Sequence, residues 1–74
     1  MNIKNIKYIK SKVDDGAVEI TFADGEKIKA ILISVSETER DVIFEMLSTD
    51  RPEKYRNYKS NLMRSPFSDI VSVV

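Results

Sequence analysis

The feature that most constrains this chain is a series of three alternating, β-branched runs separated by turn residues over residues 16–48. The first run alternates Val18, Ile20 and Phe22 with polar residues, which is the period-two pattern of a strand with one buried face. An Asp-Gly pair follows at residues 24–25, and glycine tolerates the positive φ that a tight hairpin turn demands. The three runs therefore predict a three-stranded antiparallel meander.

The second run, over residues 26–36, is apolar on both faces in its second half. Its alternation predicts two opposed sets, namely Ile28, Ala30 and Leu32 on one face and Ile31, Ile33 and Val35 on the other. Such a strand is covered on both sides or bends across the core, as the long second strand of a small barrel does. After a polar turn at residues 36–40, the third run has Val42, Phe44 and Met46 on one face, opposed by Ile43 and Leu47.

The first thirteen residues fit either a short helix or an N-terminal strand. Their apolar residues recur close to helical spacing, with lysines on the opposite face, at Ile3, Ile6, Ile9 and Val13. Ile6 and Tyr8 also alternate, and the Asp-Gly pair at residues 15–16 would join a strand to the meander by a two-residue hairpin turn. Both interpretations stay open, with the turn slightly favouring the hairpin.

Residues 49–60 have no periodicity, so they predict a long loop or one helical turn capped by Asp50 with Pro52 in its first turn. Loops of that length in compact domains more often carry function than not. A short strand at residues 61–64, a tight turn or 3₁₀ step at 66–69 and a last strand at 70–74 complete the pattern. We expect one all-β domain over residues 1–74, a five-stranded and strongly bent antiparallel sheet or small barrel.

From residue 16 to residue 74 this order of elements resembles the small barrels of the SH3-like and Sm-like group. The most specific part is Val-Glu-Ile-Thr-Phe-Ala-Asp-Gly at residues 18–25, which is similar to the start of the first Sm motif. The chain departs from that pattern at Ala30, where glycine is usual, at the missing Asn near the end of the third strand, and at residues 65–69, which lack an Arg-Gly-like pair. The resemblance implies the barrel architecture and an RNA-binding ring, but no functional residue of the family maps onto this chain.

Composition excludes several kinds of site. The chain has no cysteine and no histidine, which removes disulfides, thiolate ligands, the commonest metal ligand and the usual neutral-pH base. The serines therefore have no histidine to activate them, and two glycines are too few for a phosphate-binding loop. Four acids near the turns, Asp14, Asp15, Asp24 and Glu26, are interpreted as turn formers and not as metal ligands. We predict no enzyme, no catalytic residue, no metal and no cofactor.

A basic segment with two tyrosines is the best candidate for a ligand site. Its candidate residues are Arg51, Lys54, Tyr55, Arg56, Tyr58, Lys59 and Arg64. Cations neutralise phosphates and tyrosines stack on bases, so this composition suits single-stranded nucleic acid. A pI near 6.2 lies far below that of most nucleic-acid modules. We therefore favour packing at the end of the barrel, or pairing with acids of a neighbouring subunit, over nucleic-acid binding.

The net charge is zero, but the charges are segregated along the chain. Residues 1–12 contain four lysines and no acid, residues 13–50 contain ten acids and three bases, and residues 51–74 contain five bases and two acids. Opposite charge predicts attraction between the ends and the middle, either within one chain or between copies.

Five strands cannot enclose every apolar residue on both faces of the sheet. The surplus set is expected to form an exposed patch, and it contains Ile31, Ile33, Val35, Ile43 and Leu47. Such patches mark interaction surfaces, open strand edges add pairing sites, and self-association stabilises a small core that has no disulfide. We therefore predict a binding or protein-interaction module that forms a homo-oligomer or binds an unidentified protein partner, with nucleic-acid binding as the alternative.

The sequence also predicts that the chain does not enter a membrane. No apolar run reaches the roughly 18 residues that a membrane span requires. Isoleucines and lysines alternate where a secretory signal would have a continuous apolar stretch. We therefore expect a cytoplasmic protein.

Overall fold

The computed structural model describes residues 6–74, which form one short helix followed by five strands. Helix α1 spans Ile6–Ser11. The strands are β1 (Ala17–Phe22), β2 (Lys27–Ser36), β3 (Asp41–Thr49), β4 (Leu62–Pro66) and β5 (Ile70–Val73). A first 3₁₀ turn, Pro52–Tyr55, follows β3, and a second, Phe67–Asp69, joins β4 to β5. Ile3 and the rest of residues 1–5 lie outside the described residues.

The strands form a single antiparallel sheet in the order β4-β3-β2-β1-β5. This confirms the prediction of a small all-β fold with a five-stranded antiparallel sheet. Within the described residues the sheet is not closed into a barrel, because β4 and β5 lie at opposite edges and no backbone ladder joins them. Pro66 ends β4 with a residue that has no N–H to donate, and the second 3₁₀ turn leads to β5, which pairs with β1.

A bulge in β2 changes which residues face the core. The register passes from Leu32 opposite Phe44 to Ser34 opposite Ile43, so Ile33 is an extra residue without a cross-strand partner. One extra residue inverts the alternation that follows it. Val35 consequently packs against the core, and its predicted position on the outer face with Ile31 and Ile33 is wrong.

A second bulge lies in β3. Lys29 is opposite Ser48 and Ala30 is opposite Met46, so Leu47 is the extra residue here. Before this bulge the predicted alternation of β3 is confirmed, with Val42, Phe44 and Met46 buried.

The described part of the N-terminal segment is helical, so the strand interpretation is wrong over Ile6–Ser11. Ile6 and Ile9 are both buried, and residues three apart share a helix face but lie on opposite faces of a strand. The sheet also leaves no position beside β1 for the predicted N-terminal strand, because β1 already has β2 on one side and β5 on the other.

The core is a continuous cluster between α1 and the inner faces of the strands. It contains Ile6, Ile9, Val18, Ile20, Phe22, Ile28, Ala30, Leu32, Val42, Phe44, Met46, Phe67, Ile70 and Val73. The inward set predicted for β1 is buried in full. Val13, Val35, Tyr55 and Met63 pack around this cluster while staying partly exposed.

The turn between β2 and β3 holds an arginine in a strained conformation. Arg40 has a φ of 56°, in the left-handed region that favours glycine, and its side chain is exposed. We expect Arg40→Gly to raise the free energy of unfolding by roughly 0.5–1 kcal/mol, measured by urea denaturation, because relief of strain exceeds the added chain entropy. Glu39→Gly is the control, since Glu39 has no positive φ and glycine there should destabilise. Equal losses in both variants would contradict this expectation.

Candidate functional site

The basic ends of the chain form ion pairs with its acidic middle. Every salt bridge in the described residues joins a base of the two ends to an acid of residues 13–50. The pairs are Lys10 with Glu37 at 2.8 Å, Arg51 with Asp24 at 3.2 Å, Lys54 with Asp24 at 3.4 Å, Lys54 with Glu26 at 2.8 Å, and Arg64 with Asp41. Attraction inside one chain therefore engages several of the cations that a phosphate ligand would need.

A fully buried carboxylate organises the base of the basic segment. Glu26, just before β2, has a relative exposure of 0%. Its oxygens accept hydrogen bonds from Thr49 Oγ1 at 2.6 Å, Lys54 Nζ at 2.8 Å and Tyr55 Oη at 2.9 Å. Since these donors belong to the end of β3 and to the first 3₁₀ turn, Glu26 attaches that turn to the start of β2 by charge-assisted bonds. We call Glu26, Thr49, Lys54 and Tyr55 the Glu26 cluster.

The protonation states in the Glu26 cluster follow from these bonds. Burial raises the pKa of Glu26, but the hydrogen bonds from Lys54, Thr49 and Tyr55 together outweigh it and hold the pKa below its ordinary value. The hydrogen bond to Glu26 raises the pKa of Lys54. Burial, followed by the same carboxylate, raises the pKa of Tyr55 to about 12. At neutral pH the cluster is an ion pair with a neutral tyrosine, and its pKa values are moved away from the range that proton exchange near pH 7 requires.

The start of the first 3₁₀ turn differs from its prediction in one respect. Pro52 lies in the first turn as predicted, but the N-cap is Arg51 and it makes no side-chain capping bond. The carboxylate of Asp50 instead accepts the N–H of Lys27 at 3.2 Å. Asp50 is directed there because β3 continues beside β2 as far as Thr49, which leaves Asp50 facing the start of β2.

The structure divides the seven candidate nucleic-acid residues into two groups. Arg51, Lys54, Tyr55 and Arg64 are held by contacts within the chain. The other three, Arg56, Tyr58 and Lys59, are exposed, and Tyr58 packs its ring edge-on against Tyr55 at 5.2 Å between centroids. Binding of nucleic acid stays a prediction that depends on these three side chains.

A groove of about 540 Å³ opens beside β4. All five residues of β4 line it, together with the end of β1 and the turn after it, over residues 22–24, and side chains of the first 3₁₀ turn and of Tyr58 beyond it. Phe22 and Phe44, whose ring centroids are 6.4 Å apart, supply aromatic surface at its lining. We call this feature the β4 groove.

Of these two features, only the Glu26 cluster has a signal in the sequence. Glu26 lies two residues before Ile28, so extending the buried alternation of β2 back by one step would have directed it into the core. The β4 groove has no such signal, because it depends on β4 and β5 ending on opposite edges of the sheet.

The predicted self-association residues lie on the outer face of β2 and β3, except for Val35. Ile33 and Leu47, the two bulge residues, are 42% and 49% exposed, and Ile31 and Ile43 are partly exposed. The register puts Ile31 opposite Glu45 and Glu45 opposite Leu62, so Leu62 of β4 joins this face. We call Ile31, Ile33, Ile43, Leu47 and Leu62 the outer stripe.

Within residues 6–74 no helix has both the length and the apolar character to cross a membrane. The same part of the chain contains no group of three or more histidine, cysteine, aspartate or glutamate residues arranged to hold a metal ion. The chain matches no protein-family model, no curated protein and no solved structure. A function is therefore inferred from the geometry of this chain alone.

Proposed function

We propose that this protein is a small interaction module that associates with itself through the outer stripe. The observation that carries the proposal is the exposure of Ile33 and Leu47 at the two bulges of one sheet face. Single exposed apolar residues are ordinary on protein surfaces, whereas several on one face mark a contact surface.

The register supports treating these residues as one surface. Ile31, Glu45 and Leu62 form a row across β2, β3 and β4, and Ile43 lies two residues from Glu45 along β3. Glu45 is the acid within this apolar row, so it must meet a cation when the row is covered. Arg64 neighbours it on the same face and is exposed. Arg64 pairs with Asp41 through Nε, and the rest of its exposed guanidinium can contact Glu45 of another copy, which would satisfy this requirement.

The size of the domain gives a second reason for self-association. A chain of 74 residues buries a modest fraction of its surface, and no disulfide reinforces it. The open edge of β5 also presents backbone groups to which a further copy can bond.

A relationship to Sm-like or SH3-like barrels is part of this proposal, and so is a cytoplasmic location. The order of five strands, with a 3₁₀ turn between the fourth and fifth, supports the relationship. The open sheet and the departures at Ala30 and residues 65–69 count against it. The RNA binding that it implies has less support than self-association, because ion pairs engage Arg51, Lys54 and Arg64.

The proposal is tested by measuring the mass of the protein in solution with multi-angle light scattering. We expect an oligomer for the natural chain and a monomer for the double variant Ile33→Lys/Leu47→Lys, because two charges on the outer stripe oppose its burial. Both residues are exposed, so each change should alter the free energy of unfolding by no more than about 0.5 kcal/mol.

Tyr8→Lys is the matched control, since Tyr8 is an exposed ring on α1 and away from the sheet face. It should leave the oligomer intact. A natural chain that is monomeric at every accessible concentration would overturn the proposal, as would a double variant of unchanged mass. Copurified nucleic acid that is released by salt would favour the alternative function through Arg56 and Lys59.

A further inference from the structure

The β4 groove runs along a strand edge whose backbone is open. Asn61 O accepts the N–H of Met46, and the N–H of Phe67 donates to Arg40 O. The odd-numbered residues of β4 therefore direct their backbone groups toward β3. In an antiparallel ladder the residues between them point their backbone groups away from the partner strand. Arg64 therefore presents both its N–H and its C=O at the open edge.

The flanking residues of β4 limit this edge to a short segment. The N–H of Leu62 is taken by Ser60 Oγ at 3.1 Å, which leaves its C=O, and Pro66 offers only a C=O. The edge thus provides the N–H and the C=O of Arg64 at its centre and one further C=O on each side. An extended residue spans about 3.3 Å, so the groove beside five-residue β4 takes a segment of about five residues.

The surface of the groove is suited to alternating apolar side chains. Phe22, Phe44 and Met63 line it, and the side chains of Tyr58 and Leu62, which also line it, are exposed to solvent. Its volume of about 540 Å³ lies within the range of 300–1,000 Å³ that is typical of ligand pockets. An added strand would cover the exposed side chains of Tyr58 and Leu62 while pairing the open backbone.

The charged side chains that line the groove indicate that the segment carries a basic residue. Four charged side chains line the groove, and three of them are paired, since Lys54 meets Asp24 and Glu26 while Arg64 meets Asp41. Asp69 is the lining charge that has no ion pair within residues 6–74, and it is exposed. A lysine or arginine on the incoming segment complements this carboxylate.

We propose that the β4 groove binds an extended peptide segment of a partner protein in which apolar side chains alternate, and that this segment adds to β4 as a further strand and presents a basic residue to Asp69. The groove shares Leu62 with the outer stripe, but its other lining residues lie outside the stripe, so the proposal does not depend on self-association.

The test uses a capped synthetic peptide, Lys-Val-Thr-Val-Thr-Val, with the monomeric Ile33→Lys/Leu47→Lys variant and with the natural chain. Binding is measured by NMR from changes in the amide chemical shifts of the protein. We expect saturable binding to both proteins, with the largest changes at residues 22–24 and 62–66. Binding by the natural chain but not by a folded monomeric variant would overturn the independence of the two surfaces. Absence of saturable binding to either protein, or shifts centred elsewhere, would overturn the proposal.

Peptides methylated on alternate backbone nitrogens then test strand addition. One set of methyl groups should lower the affinity at least about tenfold, because it blocks the hydrogen bonds to the β4 edge, whereas the other set faces away. Equal affinity for both sets would rule out backbone pairing. If the fraction of protein with bound peptide falls as the protein concentration alone is raised, a second copy of the chain competes for the groove. That result would overturn the assignment of the groove to a partner segment.

The role of Asp69 is tested with the variant Asp69→Asn. We expect binding of the lysine peptide to weaken by about two- to fivefold, as for an exposed ion pair, with no change for a peptide in which glutamine replaces lysine. Glu53→Gln is the matched control, because Glu53 is an exposed acid that does not line the groove. An equal effect of the two variants on the lysine peptide would contradict a specific role for Asp69.

Discussion

Replacement of Glu26 by alanine is expected to remove most of the stability of this domain. The change deletes the acceptor of three hydrogen bonds and leaves a cavity where a fully buried side chain stood. Lys54 is half-exposed and can turn to water, which limits the penalty to about 2–4 kcal/mol. A core of this size contributes only about 3–5 kcal/mol net, so urea denaturation followed by circular dichroism should show a large fall in the midpoint.

The matched comparison uses a neighbouring acid and a conservative replacement. Glu53→Ala removes an exposed acid from the first 3₁₀ turn, and we expect a change within about 0.5 kcal/mol. Glu26→Gln retains the volume of the side chain but loses its charge. Its loss of unfolding free energy should therefore lie between those of Glu26→Ala and Glu53→Ala. If Glu26→Ala were no more destabilising than Glu53→Ala, the Glu26 cluster would have no stabilising role.

The same cluster makes stability depend on pH in a defined direction. The pKa of Glu26 is lower in the folded chain than its ordinary value, because the bonds from Lys54, Thr49 and Tyr55 outweigh burial. Its contribution is therefore fully present above the ordinary pKa and is lost as the pH falls through the folded pKa. The difference in unfolding free energy between the natural chain and Glu26→Gln should shrink on acidification, and a constant difference across this range would contradict the assignment.

Replacement of Ile9 by alanine is expected to cost about 2–4 kcal/mol, because it truncates a buried side chain of the core. Ile9 is 2% exposed, while Tyr8 beside it on α1 is 47% exposed. Tyr8→Ala is therefore the matched control, with an expected change within about 0.5 kcal/mol. Equal effects of the two variants in urea denaturation would mean that α1 contributes little to the core.

The parts of the fold that sequence predicted correctly are those that local patterns determine. Val18, Ile20 and Phe22 alternate with polar residues and are buried, as period two requires. Gly25, with a φ of 91°, occupies the turn that follows β1. The second 3₁₀ turn and the last strand also lie where turn and β-branched residues indicated.

The parts that it missed depend on contacts between distant segments. The helical conformation of residues 6–11 is decided by the sheet, in which both edges of β1 are occupied. The inward position of Val35 depends on an unpaired Ile33, which no local pattern reveals. The sequence predicted either a bent sheet or a barrel, and the choice between them depends on the pairing of β5 with β1 and not with β4.

The candidate sites show the same division. Composition identified the basic segment, but acids from the middle of the chain engage Arg51, Lys54 and Arg64. Glu26 was interpreted as a turn former because it follows an Asp-Gly pair, and its burial depends on donors about twenty-five residues further along the chain. The open edge of β4 could not be inferred before the strand order was known.

The pairing of β5 with β1 also determines the order in which the domain is completed during synthesis. The meander of β1, β2 and β3 forms from segments that are close in sequence, whereas β5 joins β1 from about fifty residues away. Contacts of long sequence separation form slowly, because the intervening chain must first be ordered. A chain in which residues 70–73 have not yet paired therefore carries a meander with an unpaired β1 edge, and unpaired edges of this kind favour aggregation.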